Sequence, residues 1–174
     1  LNLTKVKSRS LGQIINSIAK AISDNRISKG ELAKLKRIDM GEGYPPSFWK
    51  LMLRYVWEEG ELNLKNTKKW GVILSGMARM APFHHNSEVS LGQALVKSNY
   101  AEGRFLRLLR STGKTLEDSV RRISIFLSAK RQVVNWVEFA ALILVNDPDK
   151  KEKIKERVAV DYYGVKIKEE KENE

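Results

Sequence analysis

Helix-start signals followed by apolar residues at three- and four-residue spacing recur about eight times along this chain, while strand-like alternation and hairpin turn signals are missing. That pattern constrains the chain to an all-α fold. We read it as a compact helical bundle of about eight helices in two packed lobes. The lobes are residues 1–85 and 86–164, with a hinge near Pro82 to Glu88, followed by a charged, disordered tail over 165–174.

Ser10 caps a first stripe of Leu11, Ile14, Ile15, Ile18 and Ile22, and the Lys5, Lys7 and Arg9 segment before it reads as a disordered arm. Ser28 and Glu31 form a capping box ahead of Leu32, Leu35 and Ile38. After Pro45 and Pro46, Ser47 opens a helix whose Phe48, Trp49, Met52, Leu53, Val56 and Trp57 face is expected to be deeply buried. A helix from about Asn66 to Ala81 turns Trp70, Ile73, Leu74 and Met77 inward. Asn135 with Glu138 opens another. Asp147 before Pro148 starts the last, with Ile154, Val158 and Tyr162 inward and an end near Tyr163. Lys151, Glu152, Lys155 and Glu156 are expected to pair along its outer face.

The 174 residues carry a net charge of +11 and a sequence pI near 9.8, which calls for a polyanionic partner, nucleic acid being the commonest. Cysteine is absent, removing disulfides and thiol chemistry together. No run of residues is long and apolar enough for a membrane span, and LNLTKVKSRS lacks a signal-peptide core, so a cytoplasmic protein without a membrane partner is expected.

The charge is not spread evenly. Between Tyr100 and Arg110, helical geometry puts Phe105, Leu106, Leu108 and Leu109 on one arc and Arg104, Arg107 and Arg110 on the other. Solvated helix faces mix acids and bases three or four apart, whereas these arginines have none at that spacing. Gly113 is expected to end this helix. Thr115 with Asp118 then starts the next, with Leu116, Val120, Ile123 and Leu127 inward. Arg121 and Arg122 leave that helix about 100° apart, so one of the two shares a surface with the earlier row.

Lys68 and Lys69 stand in a first helical turn, against the helix dipole, either as solvated lysines or as the seat of a phosphate. Lys36 and Arg37 form a further basic group, although Arg37 can pair with Asp39 or Glu42; Lys150 and Lys151 open the last helix. His84 and His85 are the only histidines, and adjacent residues without further ligands at helical spacing make no metal site. They read as a loop touching backbone or phosphate. No phosphate loop, nucleophile with a base, or zinc motif is present, so neither cofactor nor catalytic group is expected, and the chain reads as a binding protein.

VSLGQAL, SNYAEGRFLRLLRS, LEDSVRRISIFLSAK and NWVEFAALIL occur in an order and spacing that resembles the CasB family, the small subunits of the type I-E CRISPR surveillance complex Cascade. The resemblance covers about Trp70 to Tyr163 and weakens upstream to PSFWKL and LKRID. Relatives usually carry a basic residue where this chain has Gln93, which removes one possible phosphate contact. What the resemblance implies is an all-helical, non-enzymatic subunit present as two copies, packed against the guide-RNA-bearing backbone subunits and the large subunit. It would hold target DNA, chiefly the displaced single strand, and stabilise the R-loop. Carried over by motif, the DNA contacts would be Arg104, Arg121 or Arg122, and Lys36 or Arg37, then Lys68 or Lys69 and Lys150 or Lys151. Arg107 and Arg110 come from the helical-face geometry alone. The alternatives are a free-standing nucleic-acid-binding helical protein, or an adaptor whose basic face meets an acidic protein.

Overall fold

The computed structural model describes residues 9–38, 41–57 and 64–173. Among these are nine α-helices and no strand: α1 Leu11–Ser23, α2 Lys29–Leu35, α3 Pro46–Leu51, α4 Thr67–Met80, α5 Leu91–Lys97, α6 Glu102–Arg110, α7 Gly113–Ala129, α8 Trp136–Leu144 and α9 Pro148–Glu172. A π-helical turn, Met52–Val56, continues α3. The all-α expectation holds. Lys5 and Lys7 of the basic arm, Asp39, and the turn from Glu58 to Glu61 lie outside the described residues. No described helix is long and apolar enough to cross a membrane.

Helix α4 is the axis of the bundle. Every residue from Trp70 to Met80 except Arg79 is buried, as expected of a helix that is covered all round. It packs on α2, α7 and α8, while α1 lies on α8 and α5 on α9. Buried residues on both sides of the Pro82 turn join one core, from Ile15 and Phe48 to Trp136 and Tyr162. Two glycines allow the closest approaches: a Cβ on Gly76 would run into the Trp136 ring, and one on Gly92 into the α9 backbone at Val158 and Tyr162.

The caps follow the sequence in kind but not always in partner. Ser10 and Gln13 close a complete capping box on α1. Ser28 accepts from the Glu31 N–H, yet the Glu31 carboxylate turns away and accepts from the Ser47 N–H of α3 at 3.3 Å. Likewise Asn135 caps α8, while Glu138 accepts from the Leu91 N–H of α5. Both glutamates satisfy a neighbouring helix's orphan donors instead of their own.

Several boundaries differ from expectation. Helix α3 starts with Pro46 in its first turn behind Pro45, where a missing N–H costs nothing, rather than at Ser47. Its apolar face is only half covered: Phe48 and Met52 are buried, but Trp49 is 38% and Leu53 61% exposed. Gly113 begins α7 instead of ending α6, because its φ of +50° swings the chain out of the extended Ser111–Thr112 link; Thr115 is then inside the helix. Helix α9 does not stop near Tyr163 but runs to Glu172, so residues 165–172 are helical rather than a disordered tail. Val165 packs against the core, and Lys166 reaches the Glu102 carboxylate at 3.3 Å and lies 5.2 Å from the Tyr162 ring centroid.

Candidate nucleic-acid interface

The segment from α5 to α7 is held from beneath. Ser90 and Gln93 close a capping box, so Gln93 is committed to starting α5. Asn99, with φ +57°, reverses the chain between α5 and α6, a conformation that asparagine tolerates. Tyr100 is then pinned at both backbone groups, its N–H donating to the Leu95 carbonyl and its carbonyl accepting from the Tyr162 hydroxyl at 3.1 Å. In α6, Phe105 stacks on Tyr162 with centroids 3.9 Å apart, and Leu108 is buried beside it. The one acid of this helix, Glu102, accepts from the Tyr163 hydroxyl at 2.7 Å and from Lys166. Those two bonds pull its carboxyl below the usual carboxylate range. It is turned toward α9.

With that floor fixed, Arg104, Arg107 and Arg110 all stand exposed. Arg104 and Arg107 line a hollow of about 430 Å³ together with Arg122, Ser119, Tyr100 and Phe126. Tyr100 and Phe126 meet edge to face, centroids 5.0 Å apart. The Lys130 ammonium lies 6.0 Å from the Phe126 centroid. Among the described residues no carboxylate lines this hollow. Burial raises the Tyr100 hydroxyl's pKa, while the charges of Arg104, Arg107 and Arg122 act against that rise. Arg110, in the last turn of α6, is outside the hollow.

Of the double arginine, Arg122 shares the surface with the α6 row. Arg121 pairs with Asp118 at 3.0 Å and faces a second hollow, lined also by Lys68, Lys114, Glu117 and Asp118. There the charges are mixed. Arg37 pairs with Glu42 at 3.6 Å, one of the two partners expected for it. Lys36 offers its carbonyl to the guanidinium of Arg79 at 2.8 Å, closing α2 onto α4. Neither lines the arginine hollow.

A third basic group joins α4 to α9. Lys69 donates to the Asn146 side chain at 2.6 Å. Lys151 is held below the usual lysine range by burial and by the charges of Lys69 and Lys155. Lys68 points to the mixed hollow instead, and Lys150 is exposed. Lys155 does not pair with its helical neighbours: it is 7% exposed and donates to the Ser111 carbonyl at 3.2 Å, tying α9 to the link before α7.

The family model described as CRISPR-associated protein Cse2 matches residues 31–163. The chain belongs to the Cse2 family. The family makes it a small, structural subunit of a type I-E CRISPR Cascade complex. The crystal structure of CasB from Thermobifida fusca superposes with a TM-score of 0.67 at 16% sequence identity, covering 87% of this chain and 97% of that one, which shows a shared fold. Comparison with curated proteins finds no match.

Within this Cse2 fold the two histidines are structural. His84 is buried and its Nε2 bonds to the Ala19 carbonyl at 2.9 Å. His85 Nδ1 accepts from the Trp136 N–H at 3.1 Å, so its Nε2–H donates to Asn16 at 2.7 Å. They fasten the loop after α4 to α1 and α8. Among the described residues no three histidine or acidic side chains gather as a metal site. Tyr100, Ser119, Phe126 and Lys130 were not singled out from the sequence. The signal was present: Ser119, Arg122, Phe126 and Lys130 follow the three- and four-residue spacing of one helix face.

Proposed function

We propose that this Cse2 subunit binds DNA without sequence preference through the hollow of Arg104, Arg107 and Arg122, and that in Cascade it holds the displaced strand of the R-loop. The observation that carries this is the convergence of three guanidiniums from two helices on a surface lined, among the described residues, by no acid. Like charges gathered in this way repel, and phosphates relieve the repulsion. Guanidiniums also match phosphate oxygens in a bidentate manner. R-loop formation is close to energetic balance, so a few backbone contacts are enough to tip it, while the guide reads the sequence. The working partners are then target DNA, the guide-RNA-bearing backbone and large subunits, and a second copy of this chain, assembled in the cytoplasm. Arg110 and the Lys69–Lys151 group extend the basic surface beyond the hollow. The protein's own part is electrostatic and needs no cofactor.

Titration of the purified protein with single-stranded DNA of random sequence across a salt series tests the proposal. The expected log-log slope is about −2, roughly 0.7 unit for each phosphate engaged by the three guanidiniums on a single strand. A shallow slope, or binding that follows base sequence, would turn the proposal down. So would selective binding of an acidic partner subunit with no response to DNA.

A further inference from the structure

We infer that the arginine hollow takes one unpaired nucleobase, stacked on Tyr100 and Phe126, with the adjoining phosphates on Arg104, Arg107 and Arg122. This rests on the nucleic-acid reading above and specifies what kind of strand the site accepts. Phosphate binding alone explains the three guanidiniums; Tyr100 and Phe126 pack against the core, but phosphate gives the aromatic surface they add to the hollow no role. Tyr100 and Phe126 are only partly buried and help line the same hollow. Their edge-to-face contact at 5.0 Å makes a corner of two π surfaces, with the cations of Arg104, Arg107, Arg122 and Lys130 around it.

The corner is preorganised. Both backbone groups of Tyr100 are hydrogen-bonded, one of them to Tyr162, which is itself stacked on Phe105. The Tyr100 hydroxyl has no hydrogen-bond partner among the described residues and remains available to a ligand. Ser119 donates its hydroxyl proton to the Thr115 carbonyl at 2.8 Å, which leaves its oxygen as an acceptor at the edge of the hollow. Every DNA base carries an N–H on its pairing edge, so one acceptor beside a π surface does not select among bases. A base within a duplex has both faces covered by its neighbours and cannot enter. The site therefore discriminates single from double strand through the aromatic corner, and gains affinity from the guanidiniums for either.

The test compares binding of the full chain to a thymidine oligomer and to an abasic phosphodiester oligomer of equal length, over one salt series. Base stacking predicts roughly 5- to 100-fold tighter binding of the thymidine strand at an unchanged salt slope. Tyr100→Leu combined with Phe126→Leu, which keeps apolar bulk against the core, should bring the two oligomers to equal affinity with the slope intact. A 2-aminopurine placed in the strand should be quenched by the wild type and regain emission with Tyr100→Leu. Equal, salt-dependent binding of both oligomers by the wild type would overturn the stacking site and leave the phosphate reading in place. Failure to bind either at low salt would overturn both.

Discussion

Arg121 and Arg122 are neighbours in sequence, and the two sides of α7 to which they belong teach the difference between a charged surface and a charged site. On Arg121's side, Asp118 and Glu117 stand among Lys68 and Lys114, and the ion pair at 3.0 Å compensates the guanidinium within the protein. Such partly exposed pairs are worth little to stability. On Arg122's side no acid among the described residues lines the hollow, and three guanidiniums share it with two aromatic rings. One side is neutralised from within; the other leaves its charge for something outside.

The sharpest way to break this contrast is charge reversal. Arg104→Glu with Arg107→Glu should weaken DNA binding roughly 100-fold or more, each lost charged contact being worth about 1.5–3 kcal/mol. The salt slope on single-stranded DNA should shrink by about 1.4 units. Circular dichroism should stay unchanged, because both side chains are exposed while the helix is anchored by the buried Phe105 and Leu108. Unaltered binding would mean that the acid-free side is no different from the paired one.

The support under the hollow is next. Gly92→Ala puts a methyl group 2.6 Å from the Val158 carbonyl and against the backbone of Tyr162, whose hydroxyl holds Tyr100. Overpacking against backbone costs about 1–3 kcal/mol, which for a chain of this size lowers Tm by roughly 3–10 °C. Thermal denaturation would reveal it, and a Tm equal to wild type would show that α5 and α9 are not so closely seated.

Single alanine variants sharpen the comparison itself. Arg122→Ala should cost roughly tenfold in DNA affinity and about one unit of salt slope. Arg121→Ala should leave binding within about twofold, and stability within about 1 kcal/mol. Equal losses from both would erase the distinction between the two sides.

The smallest effect concerns the loop joining α4 to α5. Burial, chiefly, and the neighbouring His84 charge hold His85 below its ordinary value of 6.5, against the backbone bond at Val134. Its neutral form is the one bonded to Asn16 and Trp136. Above about pH 6.5 folded and unfolded chains are both neutral at this site, and its contribution is fully present. As pH falls below 6.5 the unfolded chain takes up the proton first, and stability is lost until the folded pKa is reached. Tm should therefore fall modestly on acidification from about pH 7.5 to 6, and His85→Gln should flatten that fall. Burial raises Glu138 above its ordinary 4.5, so acidification at lower pH favours the fold at that residue and acts in the opposite sense. DNA binding should not follow the His85 transition, since the histidine lies outside the hollow.

Most helix starts could be read directly. Ser10, Ser28, Ser90, Asn135 and Asp147 each accept from backbone N–H groups two or three residues ahead. These are local bonds, formed within one turn, so residue type and spacing suffice to find them. The boundary at Gly113 was not legible, because glycine serves equally at a helix end and at a positive-φ entry. The outer face of α3 misled for another reason: Trp49 and Leu53 satisfy the helical period, but the fold covers Trp49 only with the rings of Tyr44, Phe48 and Trp57 and leaves Leu53 61% exposed.

By itself, then, the sequence determined that the chain is helical, where most helices begin, and that Arg104 and Arg107 face away from the core, since 100° per residue and a one-turn cap are properties of contiguous residues. Only the tertiary structure decided where the long side chains ended. It sent Glu31 to α3 and Glu138 to α5, buried Lys155 against Ser111, and extended α9 to Glu172 along Glu102. It also chose Arg122, and not Arg121, as the one of the pair that shares a hollow with Arg104 and Arg107. An acid or a cation does not encode its partner when that partner lies tens of residues away; packing brings one group within hydrogen-bond reach and leaves another to water or to a ligand.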